Sequence, residues 1–188
     1  SRYRELAVNV SVNKNLINYY NDYLSSYKDD NLLTRWALLA NAPLQESTAE
    51  AISEQMRPLL AGKSQLDQVE MILNWVRTGC VYEYDDKVWG EDRAFFAEET
   101  LYYPYCDCED RAILFTRLVR NLVGLKCALV YYPGHLAAAV HFTDAVNGDY
   151  LQVNGERFTI ADPTYINAPV GRTMPKMMNR SATAILLQ

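Results

Sequence analysis

Apolar residues recur at helical spacing through the first third of the chain. Their i, i+3, i+4 and i+7 pattern predicts amphipathic helices over 11–27, 33–40 and 46–60. Pro58 is expected to disturb the last turn of the third helix because proline cannot donate a backbone hydrogen bond. Such apolar stripes are typical of surfaces that face a core, so residues 1–62 are predicted to form a helical N-terminal layer.

Two further helices are predicted on either side of an irregular stretch. Ser64 is a candidate N-cap and Gly79 a stop signal for a helix over 64–79. A helix over 109–123 is closed by Gly124. The intervening residues 81–105 are aromatic and acidic without clear periodicity. They are therefore expected to form a functional loop with a helical turn near 94–100.

The second half of the chain changes to short apolar runs separated by turn signals. Pro133-Gly134, Asn147-Gly148 and Asn154-Gly155 mark the turns. The predicted strands are 126–132, 136–142, 150–153 and 157–161, with an edge strand within 182–187. Helices followed by an antiparallel run indicate the α+β class. We expect one domain over 1–188, with its core at 64–165 and an extended tail at 166–188.

Composition narrows the class of protein without identifying it. The chain has 188 residues, of which 49% are hydrophobic and 22% are charged, which is typical of a globular domain. Its formal charge of -5 argues against a nucleic-acid partner, which would need a basic face. No apolar run approaches the length of about 18 residues that a membrane-spanning helix needs.

Cys108 is the first candidate for chemistry because it lies where the irregular stretch becomes a helix. Unpaired N–H groups and the positive end of the helix dipole favour a thiolate at that position. Glu109 and Asp110 act in the opposite direction, because nearby negative charge disfavours a second anion. A histidine partner would supply the missing positive charge.

The chain has two histidines, one at the entry to the predicted strand 136–142 and one within it. His135 is at its start and His141 near its far end, roughly 20 Å away, so they cannot both reach one sulfur. We interpret His141 as a structural strand residue. Asp162, which follows the predicted strand 157–161, is suited to orient the imidazole of His135.

These residues resemble the transglutaminase-like branch of the papain-type cysteine enzymes. The resemblance covers 64–165 and rests on C-E-D-R-A from Cys108, G-H-L-A-A-A-V around His135 and I-A-D-P-T-Y around Asp162. It implies a papain-like core, in which the helix that bears the nucleophile packs on an antiparallel sheet. It also implies Cys108 as nucleophile, His135 as general base and acid, and Asp162 as the orienting residue. The chain departs from the family pattern at Cys106, where Gly is usual, and at Leu136-Ala137, where Ala-Trp is common.

The resemblance implies a cysteine-dependent hydrolase of amide bonds, a peptidase or amidase, that acts on a peptide or protein through a thioester. Amine acyl transfer, as in transglutaminase crosslinking, is one alternative. An inactive binding module of a larger envelope protein is another. No cofactor is expected, and the resemblance implies a bacterial protein that is secreted or periplasmic. The backbone N–H of Cys108 is the first expected oxyanion donor, with Trp89, Tyr103 and Tyr105 as candidates for the second.

The remaining cysteines leave alternatives open. Cys127 lies in an apolar strand and is interpreted as core, and Cys80 follows a helix stop and is interpreted as packing. Cys106 and Cys108 with His135 form a weaker alternative, a zinc site. Four cysteines are too few for a disulfide scaffold, although an even number does not exclude a bridge.

Overall fold

The computed structural model describes residues 6–26 and 31–188, in which helices come first and an antiparallel sheet follows. The predicted α+β class is therefore confirmed. The predicted first helix extended to residue 27, which lies outside the described residues. The helices are α1 (Lys14–Ser26), α2 (Leu32–Asn41), α3 (Glu46–Leu60), α4 (Gln65–Gly79), α5 (Asp85–Val88), α6 (Ala97–Tyr102) and α7 (Cys108–Leu122).

The helix boundaries follow the local signals in the sequence. Ser64 is the N-cap of α4, and its hydroxyl accepts the backbone N–H of Asp67 at 3.1 Å. Pro58 lies inside the last turn of α3 and does not end the helix. The helical hydrogen bond from the Ala61 N–H to the Arg57 carbonyl is still made, at 3.0 Å. The expected disturbance is therefore limited to the one hydrogen bond that proline cannot make.

The stretch over 81–105 is more regular than the sequence predicts. It contains α5 and α6 and is bounded by two short strands, β1 (Val81–Tyr82) and β2 (Tyr105–Cys106), which pair in parallel. Strands of two residues carry no periodicity, so the sequence pattern could not have predicted them. Their pairing brings the residues just before α7 next to the end of α4.

Among the described residues, five strands form one antiparallel sheet in the order β5-β6-β4-β3-β7. The turn between β5 and β6 has positive φ at Asn154 and Gly155, as a two-residue hairpin requires. The predicted edge strand near the C-terminus is confirmed as β7. The strands are β3 (Lys126–Tyr132), β4 (His135–His141), β5 (Tyr150–Val153), β6 (Glu156–Ile160) and β7 (Thr183–Leu186).

Helix α7 lies between the sheet and the other helices. It packs on β3 and β4 on one side and on α2, α4 and α6 on the other. Phe115 and Leu118 at its centre are fully buried. Ala112 and Ile113, near its start, share a buried cluster with Leu136 of β4. This packing brings the first turn of α7 close to the start of β4.

The C-terminal tail covers the opposite face of the sheet. A 3-10 turn at Pro175–Met177 interrupts the predicted extended tail and buries Met177 in the cluster that contains Phe158. Across residues 6–26 and 31–188, no helix combines the length and the apolar character that crossing a bilayer would need.

Candidate active site

Cys108 is the first residue of α7, one residue earlier than the predicted start of that helix. Asp107 precedes it in an extended conformation, and the backbone N–H of Asp107 donates to Asp110 Oδ2 at 3.2 Å. The second oxygen of Asp110 accepts the N–H of Phe95 at 2.9 Å. The fully buried Asp110 carboxyl therefore fixes the segment that enters the helix and joins it to the preceding loop.

The surroundings of Cys108 favour the thiol over the thiolate. Its Sγ lies 3.0 Å from Glu109 Oε2, and the residue packs against the buried cluster that contains Leu136. Burial, together with the charges of Glu109 and Asp107, raises the pKa of Cys108 well above its usual range. The backbone of Leu136 opposes this rise without cancelling it. Burial, with the negative residues beside Cys108, thus outweighs the stabilisation of a thiolate that the helix N-terminus predicts.

His135 and Asp162 form a buried pair. His135 is the first residue of β4, and its Nε2 lies 2.8 Å from Asp162 Oδ2. The two side chains are 5% and 3% exposed. Since a carboxylate only accepts hydrogen bonds, we assign a proton to Nε2, which leaves Nδ1 of a neutral imidazole with the free electron pair.

Two backbone N–H groups hold the Asp162 carboxylate. Asp162 Oδ1 accepts from Thr164 at 2.8 Å and from Tyr165 at 3.3 Å, so the acid forms a turn of its own after β6. In the sheet, Ala139 of β4 pairs with Ile160 of β6. Because the strands are antiparallel, residues that follow β6 approach the start of β4, where His135 lies.

Of the three predicted residues, the structure joins two by a hydrogen bond and leaves Cys108 without a hydrogen bond to either. His135 and Asp162 are hydrogen-bonded, whereas Cys108 packs against the buried cluster that contains Leu136, the residue next to His135. Within the part of the chain that the structure describes, no hydrogen bond joins Cys108 Sγ to the His135 ring. The thiol donates to Glu109 instead.

His141 and Cys127 have the structural roles predicted for them. His141 Nδ1 lies 2.9 Å from the carbonyl oxygen of Arg157 on β6, at the end of β4 remote from His135. Cys127 is 1% exposed and contributes to the core.

A disulfide joins Cys80 to Cys106, with an S–S distance of 2.01 Å and a Cα–Cα distance of 6.4 Å. The interpretation of Cys80 as a packing residue is therefore wrong. A zinc site that includes Cys106 is also wrong, because a disulfide sulfur is not available as a thiolate ligand. Cys108 and Cys127 are the free cysteines.

Arg111 reinforces the bridge from within α7. Its Nε lies 3.4 Å from Cys106 Sγ, and its Nη2 donates to the Cys80 carbonyl at 3.0 Å. Its guanidinium also lies over the ring of Tyr82, 5.2 Å from the centroid. The residue three positions after the nucleophile candidate thus fastens the helix start to β1 and β2.

Acidic residues from α5 and the following loop surround the helix start. Carboxylate oxygens of Asp85, Asp92 and Glu109 lie within 4.8 Å of one another, as do ligand atoms of Asp107, Cys108 and Glu109. These are spacings that a metal ion could bridge. Burial, reinforced by the neighbouring acids, raises the pKa of Asp85 to about 6 and also raises the pKa of Asp107.

Sequence reasoning missed Asp85 and Asp92 as neighbours of Glu109, the residue after Cys108. The signal was the acidic composition of 81–105, but nothing local to the sequence showed which acids would face the helix start. The fold of that loop decides it: Asp85 Oδ2 accepts the backbone N–H of Arg93 at 2.7 Å, which closes the loop upon itself.

The aromatic candidates for a second oxyanion donor belong to a separate cluster. Trp89 and Tyr103 meet edge to face with centroids 4.9 Å apart, and the Arg93 guanidinium lies over both rings. The Tyr103 hydroxyl lies 3.3 Å from Asn21 Oδ1 and is therefore engaged by α1. Tyr105 is exposed.

No protein-family model and no curated protein matches the chain. Among solved structures, the chain is similar to a candidate cysteine protease from Cytophaga hutchinsonii. The two are 13% identical, with a TM-score of 0.44 over 86% of this chain and 58% of the other. The chain therefore spans less than two thirds of that protein, and a similarity this distant transfers no site residue.

Proposed function

We propose that this protein is a cysteine-dependent hydrolase of amide bonds, a peptidase or amidase of the transglutaminase-like type. The observation that carries the proposal is the buried His135–Asp162 hydrogen bond at the start of β4, beside Leu136, whose buried cluster Cys108 packs against. A nucleophile, a base and a residue that orients the base are the parts such chemistry needs.

The proposed reaction begins with a thiol. His135 Nδ1 accepts the Cys108 proton as the sulfur attacks the amide carbonyl carbon, which gives a tetrahedral oxyanion. The C–N bond then breaks, and the imidazolium returns the proton to the departing amine. Water, deprotonated by His135, hydrolyses the thioester, which releases the carboxylic acid and restores the thiol. The backbone N–H of Cys108 is the proposed first donor to the oxyanion.

One observation favours a second candidate, a catalytically inactive binding module. The thiol is hydrogen-bonded to Glu109, and the pKa of Cys108 is raised by burial and by the adjacent carboxylates. A module that had lost catalysis would have no need of an activated thiol. In the proposed hydrolase, the proton leaves only when substrate is bound and His135 accepts it.

The test is cleavage of a complex mixture of proteome-derived peptides, read as new termini by mass spectrometry. Wild type should cleave, and Cys108→Ala should abolish every cleavage. His135→Gln should lower the rate by about 10²–10⁴. His141→Gln is the matched control, because it changes the other histidine of the same strand and should leave the rate unchanged.

Two outcomes would redirect the proposal. If wild type incorporates a dansylated primary amine into glutamine-containing peptides faster than it hydrolyses them, the protein is an acyltransferase. If folded wild type neither cleaves nor incorporates amine, the hydrolase proposal is wrong and the binding module stands.

A further inference from the structure

Arg77, near the C-terminal end of α4, holds both ends of the segment that follows β6. Its Nη2 donates to the Asp162 carbonyl at 2.6 Å and its Nη1 to the Ala168 carbonyl at 2.7 Å. Two turns earlier on the same helix, Glu70 Oε1 accepts the backbone N–H of Val170 at 2.7 Å. Helix α4 therefore fastens residues 162–170 through three hydrogen bonds, two of them from one guanidinium.

The carbonyl that Arg77 holds belongs to the residue that orients His135. Both carboxylate oxygens of Asp162 are already engaged, Oδ1 by backbone N–H groups and Oδ2 by the imidazole. The carboxylate thus cannot shift without its backbone, and its backbone is held by a buried cation. Charge-assisted hydrogen bonds of this kind are stronger than neutral ones.

We propose that Arg77 is a positioning residue for the active site. It fixes Asp162 so that the carboxylate keeps the proton of His135 on Nε2 and leaves Nδ1 free to act as the base. The inference rests on the proposed function for its catalytic consequence. The tautomer of His135 is, however, measurable without any substrate.

The same end of α4 also fixes the other side of the site. Cys80, three residues after Arg77, forms the disulfide with Cys106, which lies two residues before Cys108. The C-terminal end of α4 therefore holds both parts of the site. The disulfide fixes the segment before Cys108, and the guanidinium of Arg77 fixes Asp162. This accounts for a buried arginine whose partners are backbone carbonyls rather than a carboxylate.

The test is the tautomer of His135, measured from side-chain ¹⁵N shifts in protein labelled at histidine. The spectrum contains two imidazoles, and the structure assigns them opposite tautomers: Nε2–H for His135, which faces Asp162, and Nδ1–H for His141, which faces the Arg157 carbonyl. His141 is thus an internal reference. At a pH high enough that both rings are neutral, wild type should show each ring as a single tautomer.

Arg117→Gln is the matched control for Arg77→Gln. Both arginines are 8% exposed, both have a buried Nε without a hydrogen-bond partner, and both donate to backbone carbonyls. The Nη2 of Arg117 donates to the carbonyl of Ala40, on α2, at 2.8 Å. Arg77→Gln should convert His135 to a mixture of tautomers, whereas Arg117→Gln should leave His135 as in wild type even if it destabilises the fold.

Arg77→Lys provides a second variant, because it keeps the charge but reaches one carbonyl at a time. It should give a smaller change in the His135 tautomer than Arg77→Gln. In the peptide assay, Arg77→Lys should lower kcat by about 10–100-fold with little change in KM. An unchanged His135 tautomer in both folded Arg77 variants would overturn the inference. If wild type has no activity but the Arg77 variants still change the His135 tautomer, the hydrolase proposal is refuted and the positioning role remains.

Discussion

Removing the Cys80–Cys106 disulfide should destabilise the protein by an amount that its loop size determines. The bridge spans a sequence separation of 26 residues. Chain-entropy reasoning gives about 3.5 kcal/mol for a loop of that size, because the crosslink restricts the unfolded chain. At roughly 2–4 °C per kcal/mol for a chain of this length, the Tm should fall by roughly 7–14 °C.

The perturbation is best made in two ways that control for each other. One is the double variant Cys80→Ala/Cys106→Ala, and the other is wild type in dithiothreitol. Both should unfold at the same lowered Tm, and reductant should not lower the Tm of the double variant further. Alkylation of denatured wild type should modify two cysteines without reductant and four with it, since Cys108 and Cys127 are the free thiols.

The outcome bears on the site as well as on stability. The bridge holds the segment two residues before Cys108, and Arg111 contacts both halves of it. Four alkylated cysteines without reductant would refute the bridge outright. A Tm that is insensitive to dithiothreitol, despite full reduction, would show that β1, β2 and Arg111 hold the segment without the covalent bond.

Three further predictions follow from the charges around Cys108. Glu109→Gln removes a carboxylate that raises the pKa of Cys108, so the pH midpoint of Cys108 alkylation by iodoacetamide should move downward; an unchanged midpoint would contradict the role of Glu109. Cationic aminoethyl methanethiosulfonate should modify Cys108 about tenfold faster than anionic sulfonatoethyl methanethiosulfonate, relative to a free thiol, and salt should reduce the ratio; equal rates would contradict a negative surrounding. The pKa of Asp85 is raised to about 6, so the folded state binds this proton more tightly than the unfolded state does. The stability that the bound proton contributes is full below about pH 4 and is lost as the pH rises past 6. Asp85→Asn, which keeps an acceptor for the Arg93 N–H, should therefore gain Tm relative to wild type between pH 4 and 7 in thermal melts, and parallel pH profiles would exclude this reading.

Much of the fold was predictable because its elements carry periodic apolar positions. The helices that pack on α7 and the β5–β6 hairpin with its Asn154-Gly155 turn give local signals that agree with the structure. His135 and Asp162 were predictable as partners for a related reason. Both lie at strand ends, and antiparallel pairing of neighbouring strands brings such ends together.

The rest of the site depends on contacts between distant segments. The Cys80–Cys106 pairing depends on β1 and β2, which are too short to have a pattern. Arg77 is one basic residue near a helix end, and nothing in its sequence neighbourhood indicates that it reaches Asp162. The pKa of Cys108 was ambiguous from the sequence because a helix N-terminus and adjacent acids oppose each other, and their balance depends on burial.

The central claim is that Cys108 forms a thioester with the acyl part of its substrate. The direct measurement is mass spectrometry of acid-quenched protein after mixing with peptides from the cleavage assay, with the modified residue located by fragmentation. The account predicts an acyl group on Cys108 that hydroxylamine removes, absent from Cys108→Ala and present in Cys127→Ala. Cleavage by a protein whose Cys108 stays unmodified, or an acyl group on another side chain, would contradict it.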